Sequence, residues 1–133
     1  MTPVFADSFY FLALLNEKDA AHRAALTFAL GSPRPYVTTI WVLTEVADAR
    51  AHPSKRPHFL ELLEHLRQAA DTTIVSETSA MFDQGVMLYA DRPDKNWSLT
   101  DCISFVITRE RGLSDALTGD HHFQQAGFKT LLK

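Results

Sequence analysis

Residues 4–15 read VFADSFYFLALL, a short apolar run followed by an acid and then by a longer apolar run. The run at 3–6 predicts a first strand, and residues 8–15 predict a buried helix. The same order recurs at 116–126, where a predicted strand is followed by Asp120 and a short helix. In both places an acid stands between a strand and the helix that comes after it.

Strands and helices also alternate between these two units. Hydrophobic spacing predicts the other strands at 36–38, 72–75 and 129–132, and the other helices at 20–30, 40–51, 58–70, 76–90 and 98–111. Such alternation predicts an α/β fold, with a parallel sheet of about five strands covered by helices on both faces. A chain of 133 residues is long enough for one domain with its own core, so we expect residues 1–133 to form a single domain.

Composition and charge limit the kinds of protein that this chain can be. Hydrophobic residues make up 46% and charged residues 22%, as in ordinary globular proteins. No apolar run approaches the roughly 20 residues of a membrane-spanning helix, and the start shows no basic leader pattern. We therefore expect a cytoplasmic protein with no membrane partner. The net charge of −3 is not that of a general nucleic-acid binder, so an enzyme acting on nucleic acid would need a local basic patch or a metal ion.

The cysteine content bears on two further features, an internal disulfide and a cysteine-based metal site. Cys102 is the only cysteine, so the chain has no internal disulfide, and a cysteine-based metal site is disfavoured. The segment 102–107 is nearly all apolar, and we expect Cys102 to be a small buried hydrophobic residue within it.

Four carboxylates fall where such a fold places ligand sites. Asp7 follows the first strand and Asp120 follows the fourth, and ligands bind beyond the carboxyl ends of parallel strands. Asp101 lies in the first turn of a buried helix, while Glu45 lies mid-helix among apolar residues, where an unpaired charge is unfavourable. If the first and fourth strands are neighbours, these acids face one crevice and repel each other. A divalent cation such as Mg²⁺ would relieve that repulsion.

Each acid also has a local explanation. Asp7 and Asp120 precede helices and are suited to N-capping them, and Ser98 with Asp101 has the spacing of a capping box. Glu45 caps nothing, so its alternative is a position on the rim that reaches solvent. The joint placement of all four, rather than any one of them, favours a metal site.

Several segments resemble the PIN domain, and most closely the VapC-type toxins of bacterial toxin–antitoxin pairs. The matching stretches are VFADS at 4–8, TEV at 44–46, WSLTDCISF at 97–105 and LTGDHHF at 117–123. They occur in order over almost the whole chain, and the stretch at 98–105 is the most specific of them.

The resemblance implies a metal-dependent endoribonuclease that hydrolyses RNA phosphodiester bonds. In this family a quartet of acids holds Mg²⁺ or Mn²⁺, and the matching residues are Asp7, Glu45, Asp101 and Asp120. Ser8 matches the small polar neighbour of the first acid and is a candidate substrate contact. The resemblance also implies a homodimer paired through the early helices. A cognate antitoxin is implied as well, with a peptide in a groove near the active site.

Other polar groups are candidates for substrate contact. The segment 52–58 is rich in basic residues, and Lys55 and Arg56 within it are our preferred RNA contacts, the alternative being a solvated helix connection. His121 and His122 form a pair that suits acid–base chemistry or a transition metal, but adjacent histidines lack helical ligand spacing and are more typical of an exposed turn, which can lie near substrate. Further basic residues flank the predicted buried helix, namely Arg92, Lys95, Arg109 and Arg111.

Three other functions are alternatives to a nuclease. A phosphatase of the aspartyl-phosphate type needs a second Asp two residues after the first, where this chain has Phe9. A response-regulator receiver needs paired acids near the first strand, and that pair is absent from the sequence. The serious alternative is a non-catalytic module with the same fold that binds RNA or protein, which the presence of all four acids disfavours.

Overall fold

The computed structural model describes residues 1–132, and its elements follow the predicted alternation. The strands are Val4–Ala6 (β1), Tyr36–Thr39 (β2), Thr72–Val75 (β3), Asp115–Leu117 (β4) and Lys129–Thr130 (β5). The helices are Ser8–Leu15 (α1), His22–Gly31 (α2), Ile40–Ala49 (α3), Arg56–Gln68 (α4), Ser79–Asp91 (α5), Leu99–Glu110 (α6) and His121–Gln125 (α7).

The strands form one parallel sheet in the order β3-β2-β1-β4-β5. β1 lies in the middle and pairs with β2 on one side and with β4 on the other. The chain therefore builds outward from β1 twice, first through β2 and β3 and later through β4 and β5. With right-handed crossovers, this reversal puts helices on both faces of the sheet and opens a crevice between β1 and β4. The predicted fold class is confirmed.

Two apolar clusters hold the helices against the sheet. The larger cluster joins α1, α3 and α4 to β1 and includes Phe11, Val42 and Leu66. The smaller cluster joins α6 and α7 to the other end of the sheet, where the rings of Phe105 and Phe123 meet edge to face with centroids 4.9 Å apart. Its other buried members are Trp97, Cys102, Ala116, Ala126 and Phe128. The prediction that Cys102 is buried is confirmed.

Some element boundaries differ from the predicted ones. Helix α4 begins at Arg56, two residues before the predicted start, because Pro57 lies in its first turn, where a missing N–H group is no disadvantage. Arg56 therefore belongs to a helix rather than to a loop. Helix α5 begins at Ser79 instead of residue 76, after Thr78, whose hydroxyl accepts a hydrogen bond from the amide of Met81 at 3.1 Å. No helix within residues 1–132 is long and apolar enough to cross a membrane.

Candidate active site

The crevice between β1 and β4 brings Asp7 and Asp120 to one edge of the sheet. The amide of Asp7 donates a hydrogen bond to the carbonyl oxygen of Leu117 at 3.4 Å, which continues the pairing of the two strands beyond their ends. Asp7 follows β1 directly, and Asp120 comes three residues after Leu117, the last residue of β4. Asp7 and Asp120 can face one crevice only if β1 and β4 are neighbours, and the sheet order confirms that they are.

Asp7 is a buried carboxylate, with only 4% of its surface exposed. Its side chain does not cap α1; its Oδ2 instead accepts a hydrogen bond from the Thr118 hydroxyl at 3.0 Å. Burial is the main reason that the pKa of Asp7 is raised to about 7, and the neighbouring charges of Asp101 and Glu45 raise it further. Hydrogen bonds from the Ser8 amide and from Thr118 oppose the increase. The capping alternative for Asp7 is therefore wrong.

Glu45 reaches the same crevice from helix α3. That helix begins at the end of β2, where the hydroxyl of Thr39 accepts a hydrogen bond from the amide of Val42 at 3.1 Å. The pKa of Glu45 is raised, first by burial and then by the charges of Asp101, Asp120 and Asp48, while the Ser8 hydroxyl lowers it. Ser8, a predicted substrate contact, thus lies against the acids.

Asp101 is oriented by the start of helix α6. It forms the predicted capping box with Ser98, because each side chain accepts a hydrogen bond from the other residue's amide, at 3.0 and 3.2 Å. The Nδ1 atom of His122 also lies 3.1 Å from its Oδ2. Burial raises the pKa of Asp101, as does the charge of Asp120, whereas the Ser98 amide and His122 lower it. Capping and membership of the acidic cluster are therefore compatible for this residue.

Asp120 caps helix α7, as the local alternative predicted. Its Oδ1 accepts a hydrogen bond from the amide of His122 at 2.9 Å. Its own amide donates to the Thr118 hydroxyl at 3.1 Å, and that hydroxyl donates in turn to Asp7. Thr118 thus connects the two acids across the crevice.

The four carboxylates form one electrostatic cluster, since the charges of Asp101 and Glu45 raise the pKa of Asp7, and the charge of Asp120 raises the pKa of Glu45 and of Asp101. Within residues 1–132, no lysine or arginine forms an ion pair with any of them. Mg²⁺ and Mn²⁺ prefer oxygen ligands, and these buried and half-buried carboxylates without basic partners supply them. The residues present therefore fit such an ion.

A second set of ligand atoms overlaps this cluster. One carboxylate oxygen of Asp120 and one ring nitrogen each of His121 and His122 all lie within 4.8 Å of one another. His122 is turned toward Asp101, whereas the His121 side chain is 62% exposed. The two histidines thus differ: His122 orients an acid of the cluster, and His121 is an exposed residue at the start of α7.

The structure does not join the predicted RNA contacts Lys55 and Arg56 to the acids. Both are exposed near the start of α4, where the Arg56 side chain donates a hydrogen bond to the carbonyl oxygen of Ala51 at 2.7 Å. Arg56 also lines a cavity with Asp48, whose charge raises the pKa of Glu45. Their role in RNA binding stays a prediction.

Sequence reasoning missed two contacts at this site. The first is the contact of Thr118 with Asp7, for which a polar residue directly after the strand beside Asp7 was the available signal. The second contact is at Gly119, where an added Cβ atom would lie 2.6 Å from the ring of Phe9. The two turns that carry Asp7 and Asp120 therefore pack directly on each other.

Neither a family model nor the sequence of a curated protein matches this chain. Solved structures do match it. VapC20 of Mycobacterium tuberculosis, described as a sarcin–ricin loop cleaving toxin, aligns with a TM-score of 0.85 and 22% identity, covering 94% of this chain and 95% of its own. The chain has the PIN-like fold of VapC.

Two further structures support the PIN-like fold. DNA-bound VapBC from Salmonella typhimurium aligns with a TM-score of 0.67 and 14% identity, over 98% of this chain and 97% of its own. FitAcB from Neisseria gonorrhoeae aligns with a TM-score of 0.61 and 16% identity, over 96% of both chains. The resemblance that was based on four short motifs is thus confirmed for the fold.

Proposed function

We propose that this chain is a metal-dependent endoribonuclease that hydrolyses RNA phosphodiester bonds. The observation that carries the proposal is Asp7, a carboxylate buried beside other acids, without a capping role and without a basic partner among the described residues. A buried charge of this kind is unfavourable unless a cation binds it. A bound cation would stabilise the charged form of Asp7. The position of Asp7 therefore favours a metal ligand over a residue that only stabilises the fold.

The residues of the site have different proposed roles in binding the metal ion and in orienting its ligands. When bound, Mg²⁺ or Mn²⁺ supplies an activated water and neutralises charge at the phosphate. Asp7 and Asp101 are the proposed direct ligands, while Glu45 and Asp120 complete the shell by holding water molecules or supporting a second ion. Thr118 orients Asp7 and His122 orients Asp101 through the hydrogen bonds described above. Ser8 is positioned to orient Glu45 or to contact substrate.

We further propose that the nuclease is the toxin of a toxin–antitoxin pair. The fold shared with VapC20 and with the VapBC assembly supports this assignment. A cognate antitoxin and a second copy of the chain are the proposed protein partners. Exposed apolar side chains on α2 and α5 are available for such contacts, namely Leu26, Leu30, Phe82, Val86 and Met87. Reading the neighbouring gene and measuring the mass in solution test these two partners.

The decisive experiment is an RNA cleavage assay on the metal-free chain, with Mg²⁺ or Mn²⁺ added back and then removed with EDTA. Cleavage should depend on the ion and should be abolished in Asp7→Asn. The matched control is Asp19→Asn, because Asp19 only accepts a hydrogen bond from the amide of Ala21 in a turn, which Asn can also do. Full activity of Asp7→Asn would exclude the proposed site.

The same assay separates the nuclease from a non-catalytic binding module. A chain that binds RNA or a protein partner but never cleaves RNA, at any concentration of either ion, would be such a module. Direct titration of Mn²⁺ into the chain shows separately whether the acids bind metal. For Lys55 and Arg56, a salt titration of RNA binding with both residues neutralised should show a shallower salt dependence if they contact phosphates.

A further inference from the structure

A second cavity lies near the start of α6, where its lining includes Cys102. Its volume is about 570 Å³, within the range of small-ligand sites. It is lined by Tyr89 from the end of α5, by Arg92 and Lys95 from the following loop, and by Trp97 and Cys102. Cys102 is the residue after Asp101, so the cavity and the acids use adjacent positions of one helix.

Helix α7 contacts both the lining of the cavity and the acidic cluster. Trp97 is buried, and its Nε1 donates a hydrogen bond to the side-chain oxygen of Gln125 at 3.0 Å. His122, one turn earlier on the same helix, lies against Asp101. Trp97 also immediately precedes Ser98, the cap that orients Asp101. The wall of the cavity is thus positioned by the same elements that position the acids.

The cavity combines aromatic surface with positive charge. The guanidinium of Arg92 lies over the Trp97 ring, 5.0 Å from its centroid, and two hydrogen bonds of 3.0 Å to Asp94 hold it there. The Tyr89 ring is 54% exposed. Lys95 forms no ion pair within residues 1–132, so its ammonium group is available to a ligand. Aromatic and guanidinium planes beside a free cation are the elements with which proteins bind single-stranded nucleic acid.

A nuclease with this net negative charge needs basic residues near its active site to bind the phosphates of RNA. The chain has a net charge of −3, and no lysine or arginine among the described residues pairs with its four acids. A metal ion can neutralise one phosphate, but neighbouring phosphates of the same strand would still be repelled. Lys95 and Arg92 are basic residues next to the helix turn that carries Asp101.

We propose that this cavity is a subsite for one nucleotide of single-stranded RNA next to the phosphate that is cleaved. This inference rests on the proposed nuclease function. The base stacks on the exposed ring of Tyr89 and on the guanidinium plane of Arg92, and Lys95 binds the adjoining phosphate. Stacking accepts any base, so the subsite contributes affinity and strand position more than it contributes sequence choice.

The test uses the Asp7→Asn chain, which keeps RNA intact, and an unstructured RNA of eight nucleotides that contains 2-aminopurine. In this background Tyr89→Ala should weaken binding about tenfold and reduce the quenching of 2-aminopurine, whereas Tyr89→Phe should restore both. Lys95→Ala should reduce the slope of log affinity against log salt by about 0.7, as expected for one lost contact to a single-stranded phosphate. Gln84→Ala on the same helix, an exposed residue that is not part of the cavity, and Lys18→Ala in a distant turn are the matched controls and should bind like the parent.

The outcomes separate this proposal from the nuclease proposal. If the wild-type chain cleaves RNA but the Tyr89 and Lys95 variants bind like the parent, the subsite is overturned and the nuclease stands. If the variants weaken binding while the wild-type chain never cleaves, the subsite is supported without the nuclease. If the Asp7→Asn chain does not bind the RNA at all, the subsite is overturned whatever the cleavage assay shows.

Discussion

The turn from β1 to α1 and the turn from β4 to α7 begin with the same local pattern and use it differently. In each, an aspartate follows a strand and precedes a helix. Asp120 caps its helix through a hydrogen bond from the amide of His122, but Asp7 directs its carboxylate toward Thr118 in the crevice. Asp120 is partly exposed, whereas Asp7 is buried.

Asp120 stabilises the fold by capping a helix, whereas Asp7 has no such contribution to offset the free-energy cost of its burial. Capping contributes about 1 kcal/mol to the free energy of unfolding, so Asp120 stabilises the fold whether or not it binds metal. Asp7 makes no side-chain cap, and its raised pKa shows that its charged form is unfavourable in the folded chain. Buried acids that destabilise a fold are concentrated at functional sites.

The largest expected effect is on stability without metal. The folded-state pKa of Asp7 lies above its unfolded value of 3.8, so its ionisation removes stability as the pH rises from about 4 to about 7. In EDTA at pH 8, Asp7→Asn should therefore raise the free energy of unfolding, by at most about 4 kcal/mol at roughly 1.4 kcal/mol per pKa unit. Near pH 4 the difference should largely disappear. Urea unfolding at both pH values measures it, with Asp19→Asn as the control.

Equal stability of Asp7→Asn and the wild-type chain at pH 8 would contradict the unfavourable burial of Asp7. A loss of stability at pH 8 would mean that the carboxylate is held by a favourable interaction in the metal-free chain.

The second effect is stabilisation by the metal itself. Mg²⁺ or Mn²⁺ at 100 times its dissociation constant should raise the free energy of unfolding by about 2.7 kcal/mol, because the ion binds only the folded chain. The increase should be lost in Asp7→Asn and retained in Asp19→Asn. Thermal unfolding as a function of ion concentration provides the measurement, and an equal response of all three chains would mean that the ion binds elsewhere.

The third effect concerns the contact between the two turns. Gly119→Ala would place a Cβ atom 2.6 Å from the Phe9 ring, so the ring has to move. Overpacking of this kind is expected to lower the free energy of unfolding by about 1–3 kcal/mol and to reduce cleavage by displacing Asp120. Gly31→Ala is the matched control, since nothing lies within 4 Å of the added atom there.

Removing part of the Phe9 ring should recover much of that loss. A Phe9→Leu, Gly119→Ala double variant that is no more stable than Gly119→Ala would show that the strain lies in the backbone instead of the ring.

The smallest effect is expected at the cap. Asp120→Ala should lower the free energy of unfolding by about 1 kcal/mol, whereas Asp120→Asn, which retains a capping oxygen, should change it by a few tenths. Both variants should reduce metal-dependent cleavage, because both remove a charge from the cluster. Unfolding curves and cleavage rates measured on the same preparations distinguish the two roles, and normal cleavage by Asp120→Asn would remove this residue from the active site.

Much of the fold and part of the site could be predicted from short stretches of sequence. The capping box of Ser98 and Asp101 and the burial of Cys102 were predicted and observed, because they depend on a few consecutive residues. The start of α4 was not, because a proline both breaks helices and begins them, and the surrounding residues did not decide between the two for Pro57. The loop assigned to Arg56 was wrong for that reason.

The sequence by itself determined the alternation of strands and helices and the position of four acids at strand ends and on helices, since periodicity and capping act over a few residues. Only the tertiary structure decided how Asp7 is used, because its partner Thr118 lies 111 residues away in the chain. It also brought Trp97, Arg92 and Tyr89 together around one cavity, whose lining includes Cys102, the residue after Asp101. Contacts between distant segments depend on how the elements pack, and packing decided which aspartate caps a helix and which is left buried.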